Sequence, residues 1–294
     1  MLDFKVYKSQ IPEIIIDDFL LEHGKFKDSP LSVFRAQGTT DFEKPILDQY
    51  NNQKNSIQNP HLLGLNKNFR NLILKILHSE IIYKCLVDFL DCKDLVHYQS
   101  MFFDKSTATQ LHQDSWYLDT MPKKNLVGVW IALEDISSDS GQFCLYTKSD
   151  TKLLSSDSYN FLDLDNDKLF KDHYPNSKKY IFNAKKGDIL IWNSFVIHGA
   201  LNPKSDKSTR KSLTAHYYPK NLKIQDQPIK RFFNIYDHTN PLKTQHPNIF
   251  QATVINPFIY NSLCYFLYNL KGFKHFISGD VNTDKKLSEI RVLK

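Results

Sequence analysis

The chain has 294 residues, of which 41% are hydrophobic and 24% charged, and this balance excludes an intrinsically disordered or a collagen-like protein. Its 38 basic and 32 acidic residues leave a formal net charge of +6, and no compact Lys/Arg run interleaved with aromatic residues indicates a nucleic-acid groove. A solvated surface explains this modest charge, while attraction of an anionic substrate or of anionic lipid headgroups is the functional alternative.

The N-terminal third is predicted to be helical and irregular. The segment Ile11–Leu20 combines a β-branched run with an acidic turn and predicts a short strand that leads into a helix. Residues 25–65 have prolines but no convincing period, which is typical of an irregular covering segment. From Asn66 to Leu90, apolar residues recur at the i, i+3, i+4 spacing of an amphipathic helix.

Seven short strands are predicted in the middle of the chain, at Leu95–Phe103, Leu111–Tyr117, Leu126–Leu133, Gln142–Tyr146, Tyr180–Phe182, Ile189–Phe195 and Lys211–Tyr218. Asp, Asn, Ser and Gly residues separate them, which favours a sandwich or barrel over a parallel βαβ sheet. The polar segment Ser155–Lys179 predicts an inserted loop near the mouth of the site, either a lid or disordered.

The C-terminal segment Pro257–Phe276 is rich in aromatic and aliphatic residues but too short for a transmembrane span, so it predicts a buried helix. Contact with a membrane surface, with Lys271 and Lys274 beside the aromatic residues, is the alternative. The start, Met1–Lys5, predicts no secretory signal, and we expect a cytoplasmic protein. Four cysteines without Cys-x-x-Cys spacing are expected to be reduced, namely Cys85, Cys92, Cys144 and Cys264.

Candidate metal ligands lie in two separate segments of the chain. His112 and Asp114 are two residues apart, so on an extended strand they project from the same face and could converge on one metal ion, although the triplet alone is common on solvated strands. His198 follows a later apolar strand, and two histidines with one carboxylate form the facial triad of non-haem Fe(II) oxygenases. Arg210 follows His198 by twelve residues.

This ordered combination resembles the phytanoyl-CoA dioxygenase family, with supporting matches at Gln113, Trp130 and Gly141. The resemblance covers about residues 95–220. It implies a mainly β fold with flanking helices around a double-stranded β-helix, the cupin-like jelly roll. We expect a single oxygenase domain over residues 1–294, in which the core is preceded by a helical and irregular cover at 1–94 and followed by a C-terminal extension at 221–294.

The resemblance implies an Fe(II)- and 2-oxoglutarate-dependent dioxygenase that hydroxylates a small organic substrate and releases succinate and CO2, with ascorbate as a reductant. His112, Asp114 and His198 would hold Fe(II), leaving positions for 2-oxoglutarate and O2. Arg210 would bind the distal carboxylate of 2-oxoglutarate as a planar two-pronged donor. Further candidates for the cosubstrate pocket, for which core packing is the alternative, are Gln113, Ser212, Tyr98, Gln99 and Trp130.

Two other classes of function stay open from the residues. One is a jelly-roll hydrolase or isomerase that uses Zn or Mn, since the triad does not dictate the metal. The other is a non-catalytic binding module. Arg210 argues against the first and the intact triad against the second, while Asp114 disfavours a halogenase, which needs a small residue there. The family's Pro-Gly-Ser-His type turn is replaced by Tyr146–Asp150, and its common Ser two residues after the distal histidine is Ala200.

Six other histidines have no comparable spacing partner, and each is expected to be a surface or core residue: His97, His173, His216 on the strand after Arg210, His238, His246 and His275.

Overall fold

Short strands dominate the described part of the chain, which in this computed structural model comprises residues 3–37, 42–149, 152–154, 174–224 and 246–251 with helical positions 259, 262–263 and 265–270. The helices are α1 (Glu13–Asp28), α2 (Lys67–Leu77) and α3 (Glu80–Leu90). The strands are β1 (Phe4–Tyr7), β2 (Phe34–Ala36), β3 (Phe42–Glu43), β4 (Ile57–Gln58), β5 (Leu95–Phe103), β6 (Thr120–Met121), β7 (Val127–Ala132), β8 (Phe143–Tyr146), β9 (Lys179–Ile181), β10 (Ile189–Asn193), β11 (His198–Ala200), β12 (Ser212–Pro219), β13 (Lys223–Ile224) and β14 (Ile249–Gln251). Short 3-10 turns lie at Pro60–Leu62 and Asp114–Trp116.

Two sheets form the core of the fold. The larger has the strand order β1-β10-β7-β12-β5-β4-β2-β3, with β14 parallel to β5. The smaller has the order β11-β8-β9, and an antiparallel bridge from His198 to His112 extends it by one position. Neighbouring strands in the core order β10-β7-β12-β5 are all antiparallel. This arrangement confirms the predicted mainly β, jelly-roll fold.

Alternating residues of the larger sheet face two different environments. Val129 and Ile131 on β7 join a cluster that also contains buried residues of all three helices. Between them, Trp130 points the other way and packs with Phe143 of β8 in a second cluster. Because side chains alternate along a strand, one face of the sheet carries the helices and the other faces the smaller sheet. The interior between the two sheets therefore contains the inward residues of β7, β10 and β12.

The predicted helix from Asn66 to Leu90 is two helices. Helix α2 ends at Leu77, and Ser79 caps α3 by accepting a hydrogen bond from the backbone N–H of Ile82 through its hydroxyl. A serine in this position stabilises a new helix start rather than a continuous helix. Both helices bury apolar residues against the larger sheet, as the periodicity indicated.

The predicted strand within Ile11–Leu20 is wrong, since the run Ile14–Ile16 belongs to α1 and the strand lies earlier, at β1. The helical register places Ile16, Phe19, His23 and Phe26 on one buried face. Burial of this i, i+3, i+7, i+10 stripe outweighs the β preference of the isoleucines.

Two predictions fall largely on residues outside the described part. Most of Ser155–Lys179 lies there, as does much of Pro257–Phe276. The described C-terminal positions are helical, but the expected burial fails at three of them, since Ile259, Phe266 and Leu270 are 61%, 57% and 40% exposed. Among the described helices, none is both long and apolar enough to cross a membrane.

Candidate metal centre

Backbone pairing and a turn bring the three candidate ligands together. The N–H of His112 donates to the carbonyl of His198 at 2.9 Å and the reverse bond measures 3.0 Å, so the two imidazole rings lie 4.3 Å apart. Asp114 Oδ1 lies 3.6 Å from His112 Nε2 and 3.5 Å from His198 Nε2. One donor atom from each residue lies within 4.8 Å of the other two. Such spacing suits ligands that each bind one ion at about 2 Å.

The local structure differs from the strand predicted over Leu111–Tyr117. Only His112 makes a strand-like bridge, and Asp114 begins the 3-10 turn. The N–H groups of Tyr117 and Leu118 donate back to the carbonyl of Asp114. Buried Asp119 accepts hydrogen bonds from the Ser115 and Ser194 hydroxyls, which ties the turn to the end of β10. The turn, rather than strand alternation, aims Asp114 at the histidines.

Both imidazoles are oriented by backbone carbonyls. His112 Nδ1 lies 2.8 Å from the carbonyl of Gln110, and His198 Nδ1 lies 3.0 Å from that of Val196. A carbonyl can only accept, so each Nδ1 carries the proton and each Nε2 presents a lone pair towards Asp114. Fixing the tautomer in this way is typical of metal-binding histidines.

The protonation states also suit a metal. Burial lowers the pKa of His198 to about 4, against the opposing influence of Asp114, so its imidazole is neutral at physiological pH. Burial acts to raise the pKa of Asp114, but the nearby His198 and His216 imidazoles outweigh it and hold that pKa well below its usual value. A neutral imidazole and an ionised carboxylate are the forms that bind metal ions.

The three candidate ligands line a cavity, and the guanidinium of Arg210 lines another part of it. Arg210 is 2% exposed, and burial lowers its pKa to about 10, so the guanidinium remains charged. Its guanidinium carbon lies 5.6 Å from the centre of the Phe103 ring, and Nε has no hydrogen-bond partner among the described residues. No carboxylate of the described residues lies within ion-pair distance of it. A buried unpaired charge is costly, so this arrangement favours an anionic ligand.

Two more predicted residues, Trp130 and Ser212, lie on the inner face of the larger sheet, where Trp130 is the cross-strand partner of Thr214. Trp130 lines the cavity, and its indole Nε1 is buried without a hydrogen-bond partner in the described structure. The Ser212 hydroxyl is likewise buried and without such a partner, and Ser212 lies on the same face of β12 as the cavity residues Thr214 and His216. Unsatisfied buried donors are rare, so their grouping here marks a place for a ligand with acceptor oxygens.

The remaining predicted residues lie outside the cavity lining. Gln113 does not line the cavity, and its amide binds backbone groups instead: it donates to the carbonyls of Lys152 and Phe195 and accepts from the N–H of Leu154. Tyr98 lies at the register shift of β5 and packs with Tyr218. Gln99 lies behind His216, with its amide nitrogen 3.1 Å from His216 Nδ1.

Several cavity residues were not among the predicted ones. They are Gln37, Met101, Phe103, Thr109, Phe143, Trp192, Gly199, Ala200, Thr214 and His216. Alternation along β12 from Arg210 could have identified Thr214 and His216, because they follow at even spacing. His216, expected to be a packing or surface residue, has Nε2 3.3 Å from Asp114 Oδ2. Gln37 carries no such sequence signal, since it lies in the turn that follows β2, far from the other cavity residues in the sequence.

Comparison with known proteins identifies relatives at the level of sequence. The family model "Phytanoyl-CoA dioxygenase (PhyH)" matches residues 17–212. The chain is 26% identical over 116 residues to "Phytanoyl-CoA dioxygenase, peroxisomal" of Mus musculus, covering 38% of this chain and 34% of that protein. It is 29% identical over 158 residues to "Phytanoyl-CoA dioxygenase domain-containing protein 1 homolog" of Caenorhabditis briggsae, covering 47% and 54%. The match thus spans about a third to a half of each relative.

Solved structures share the fold at low identity. The carbocyclase SnoK from nogalamycin biosynthesis aligns with a TM-score of 0.54 at 16% identity, over 75% of this chain and 81% of that one. The epimerase SnoN from the same biosynthesis aligns with a TM-score of 0.58 at 11% identity, over 85% and 93%. EctD from S. alaskensis gives 0.55 at 13%, over 74% and 73%. Because the family model matches most of the chain, the protein belongs to the phytanoyl-CoA dioxygenase family.

Proposed function

We propose that this protein is an Fe(II)- and 2-oxoglutarate-dependent dioxygenase that hydroxylates a small organic substrate. The observation that carries the proposal is one cavity that contains both a His/Asp/His donor set and a buried arginine with no carboxylate partner among the residues that the structure describes. The donor set alone would also suit a hydrolase or isomerase with another metal. Arg210 adds a site for an anion in the same cavity, which such enzymes do not require.

The chain's own residues fit Fe(II) and 2-oxoglutarate. His112, Asp114 and His198 would hold Fe(II) through one donor atom each, a set that leaves positions for other ligands. Arg210 would bind the distal carboxylate of 2-oxoglutarate, with Trp130 and Ser212 offering further donors. When bound, these groups would supply an oxidation in which 2-oxoglutarate and O2 yield succinate and CO2 and one oxygen atom enters the substrate.

The cavity walls give these polar groups a dry environment. Met101, Phe103 and Phe143 line it, and each is at most 9% exposed. Apolar walls strengthen the charge-assisted hydrogen bonds of Arg210, since the effective dielectric constant is lower than in water. They also limit access of bulk water to the reacting groups.

We infer that the primary substrate approaches from the side of His112. His112, Gln37 and Thr109 are the partly exposed members of the cavity lining, whereas Asp114 and His198 are buried. Tyr117, 52% exposed, has its ring 6.0 Å from the His112 ring and extends this rim. The net charge of +6 favours an anionic substrate through long-range attraction, without specifying its structure.

The test is substrate-dependent release of succinate. Purified protein is incubated with Fe(II), ascorbate, 2-oxoglutarate and a panel of small anionic and neutral metabolites, and succinate is quantified. Some structural relatives are named as a carbocyclase and an epimerase, so succinate is measured independently of the organic product. We expect stimulation by at least one substrate and none in an Asp114→Ala variant. Failure of wild-type protein to bind 2-oxoglutarate in the presence of Fe(II) would refute the proposal.

A further inference from the structure

The two oxygens of the Asp114 carboxylate have different surroundings. Oδ1 faces the Nε2 atoms of His112 and His198 at 3.6 and 3.5 Å. Oδ2 points away from that pair and accepts a hydrogen bond of 2.9 Å from the indole N–H of Trp192. Trp192 lies on β10 and is 1% exposed, so water does not compete for this bond.

A second donor approaches the same outer oxygen. His216 Nε2 lies 3.3 Å from Asp114 Oδ2, within ion-pair distance, and makes no well-aligned hydrogen bond to any of the described residues. The amide nitrogen of Gln99 lies 3.1 Å from His216 Nδ1. An amide nitrogen only donates, so Nδ1 is the acceptor and the neutral ring carries its proton on Nε2, towards Asp114. The amide of Gln99 thereby fixes the tautomer of His216 that has its proton on the ring nitrogen facing the carboxylate.

The strand register keeps this arrangement in place. Gly128 on β7 is the cross-strand partner of both Trp192 and His216. A Cβ at Gly128 would lie 2.2 Å from the nearest indole atom of Trp192, so only glycine lets the indole cross the strand here. The indole and the His216 ring meet edge to face, with centroids 6.4 Å apart. Close packing of this kind limits the rotation of both donors.

We propose that Trp192 and His216, with Gln99 behind His216, are positioning residues that restrict Asp114 to metal binding through Oδ1 alone. This proposal rests on the proposed function and adds a role for three residues outside the ligand set. A carboxylate that bound through both oxygens would occupy one further coordination position. Holding Oδ2 away keeps that position available for the cosubstrate or O2, since two histidines and one single-oxygen carboxylate occupy only three positions.

The experiment measures metal binding rather than turnover. Anaerobic titration with Co(II), followed by its visible d–d absorption, gives both an affinity and a spectrum that responds to coordination number. We expect Trp192→Phe and His216→Leu each to lower Co(II) affinity by roughly 10- to 100-fold and to change the spectrum, as loss of partners behind a metal ligand usually does. His216→Gln, which keeps an N–H donor, should recover part of both signals. Gln99→Met should give a smaller change in the same direction.

His97→Gln is the matched control. His97 is a fully buried histidine on the neighbouring strand β5, and its contacts include His78 rather than Asp114. Its variant should keep the wild-type Co(II) affinity and spectrum even if the fold loses stability.

Wild-type spectra and affinities in Trp192→Phe, His216→Leu and Gln99→Met would overturn the positioning role. Absence of Co(II) binding by the wild-type protein, or full binding by His112→Ala, would instead refute the proposed metal centre. If Trp192→Phe does not fold, the His216 and Gln99 variants decide the question.

Discussion

His112 and His198 exchange two backbone hydrogen bonds, of 2.9 and 3.0 Å, although 86 positions separate them in the sequence (198 − 112). This pair attaches the segment before Asp114 to the edge of the smaller sheet. The geometry of the centre therefore depends on backbone pairing as well as on the ligand side chains. Changes that separate these two segments should weaken metal binding even when all three ligands are present.

Removing either histidine tests the ligand set directly. After anaerobic loading with Fe(II) and desalting, we expect His112→Ala and His198→Ala to retain far less iron than wild type. Each variant keeps only two of the three protein ligands, and two ligands hold the ion too weakly to survive desalting. Iron content is measured by a colorimetric assay. His61→Ala, which removes a buried histidine outside the donor set, serves as the control and should retain iron. Equal iron in both ligand variants and wild type would mean that the metal binds elsewhere.

Gly199→Ala should disturb the pairing of His112 with His198. A Cβ at Gly199 would lie 2.8 Å from the carbonyl oxygen of Thr109 and 3.1 Å from that of Gln110, and backbone atoms cannot move aside cheaply. We expect a loss of roughly 1–3 kcal/mol in the free energy of unfolding, as for other overpacked sites, together with weaker metal binding. Urea denaturation and Co(II) titration measure the two effects.

Gly24→Ala is the matched control for that substitution. Gly24 lies within α1, and a Cβ there would meet nothing within 4 Å. Alanine is the better helix former, so this variant should gain about 0.5–1 kcal/mol of stability and leave metal binding unchanged. If both glycine variants shifted stability alike, the close approach at Gly199 would have no energetic consequence.

Part of the site could be predicted from the sequence because residue spacing and strand alternation are visible in the sequence itself. The candidate ligands stand out by their spacing and Arg210 by the family resemblance, and the alternation of β7, β10 and β12 identifies the inward faces. The 3-10 turn at Asp114 was missed, since it depends on hydrogen bonds from Ser115 and Ser194 to Asp119. Residue 194 is distant in sequence, so no local pattern records that contact.

The same dependence on contacts between distant parts of the chain explains why the surroundings of Gln113 and His216 could not be predicted from the sequence. Gln113 lies between two predicted ligands, yet its amide is taken up by backbone groups of Lys152, Leu154 and Phe195, which only the folded chain brings near it. His216 has no spacing partner in the sequence, but the pairing of β12 with β7 and the turn at Asp114 place it against the carboxylate. Both outcomes depend on tertiary contacts rather than on local propensity.

Stability should fall as the pH decreases below about 6.5, because three histidines outside the candidate metal centre are buried in neutral form. Burial lowers the pKa of His23 to about 4 and that of His97 to about 3, and it lowers that of His61 well below its ordinary value. Below pH 6.5 the unfolded chain therefore binds more protons than the folded chain. The stability that these neutral histidines contribute is complete above pH 6.5 and is lost as the pH falls towards their pKa values in the folded protein. Between pH 6.5 and 5.5, protonation of each of these histidines in the unfolded chain lowers the free energy of unfolding by about 1 kcal/mol.

Urea midpoints of the metal-free protein at pH 7.5, 6.5 and 5.5 measure this dependence. His97→Gln should be less stable at pH 7.5 but should show a shallower fall towards pH 5.5, since one proton-binding group has been removed from the unfolded chain. A parallel pH dependence in wild type and variant would show that His97 does not contribute. Burial acts to raise the pKa of Asp48, but Lys105 and backbone N–H groups outweigh it and hold that pKa low, so this carboxylate should not titrate in this window.

Arg210 should control the affinity for 2-oxoglutarate rather than for the metal. Its guanidinium is charged, buried and without a carboxylate partner in the described residues, so a dicarboxylate with one end at the metal could pair its other end there. Removing one partner of a buried charge pair typically costs roughly 3–5 kcal/mol. At about 1.4 kcal/mol per tenfold, Arg210→Ala should weaken 2-oxoglutarate binding by a hundredfold or more.

Arg210→Lys separates charge from geometry at this position. A lysine ammonium restores the positive charge but cannot form the two parallel hydrogen bonds of a guanidinium, so we expect it to recover only part of the affinity. Binding is followed anaerobically through the charge-transfer absorbance of the Fe(II) complex, with iron content measured in the same samples. Both variants should keep wild-type iron, because Arg210 lies outside the donor set. If Arg210→Ala retained its iron and bound 2-oxoglutarate within about threefold of wild type, the arginine would have another ligand, and the dioxygenase proposal would lose the feature that distinguishes it from other metalloenzymes of this fold.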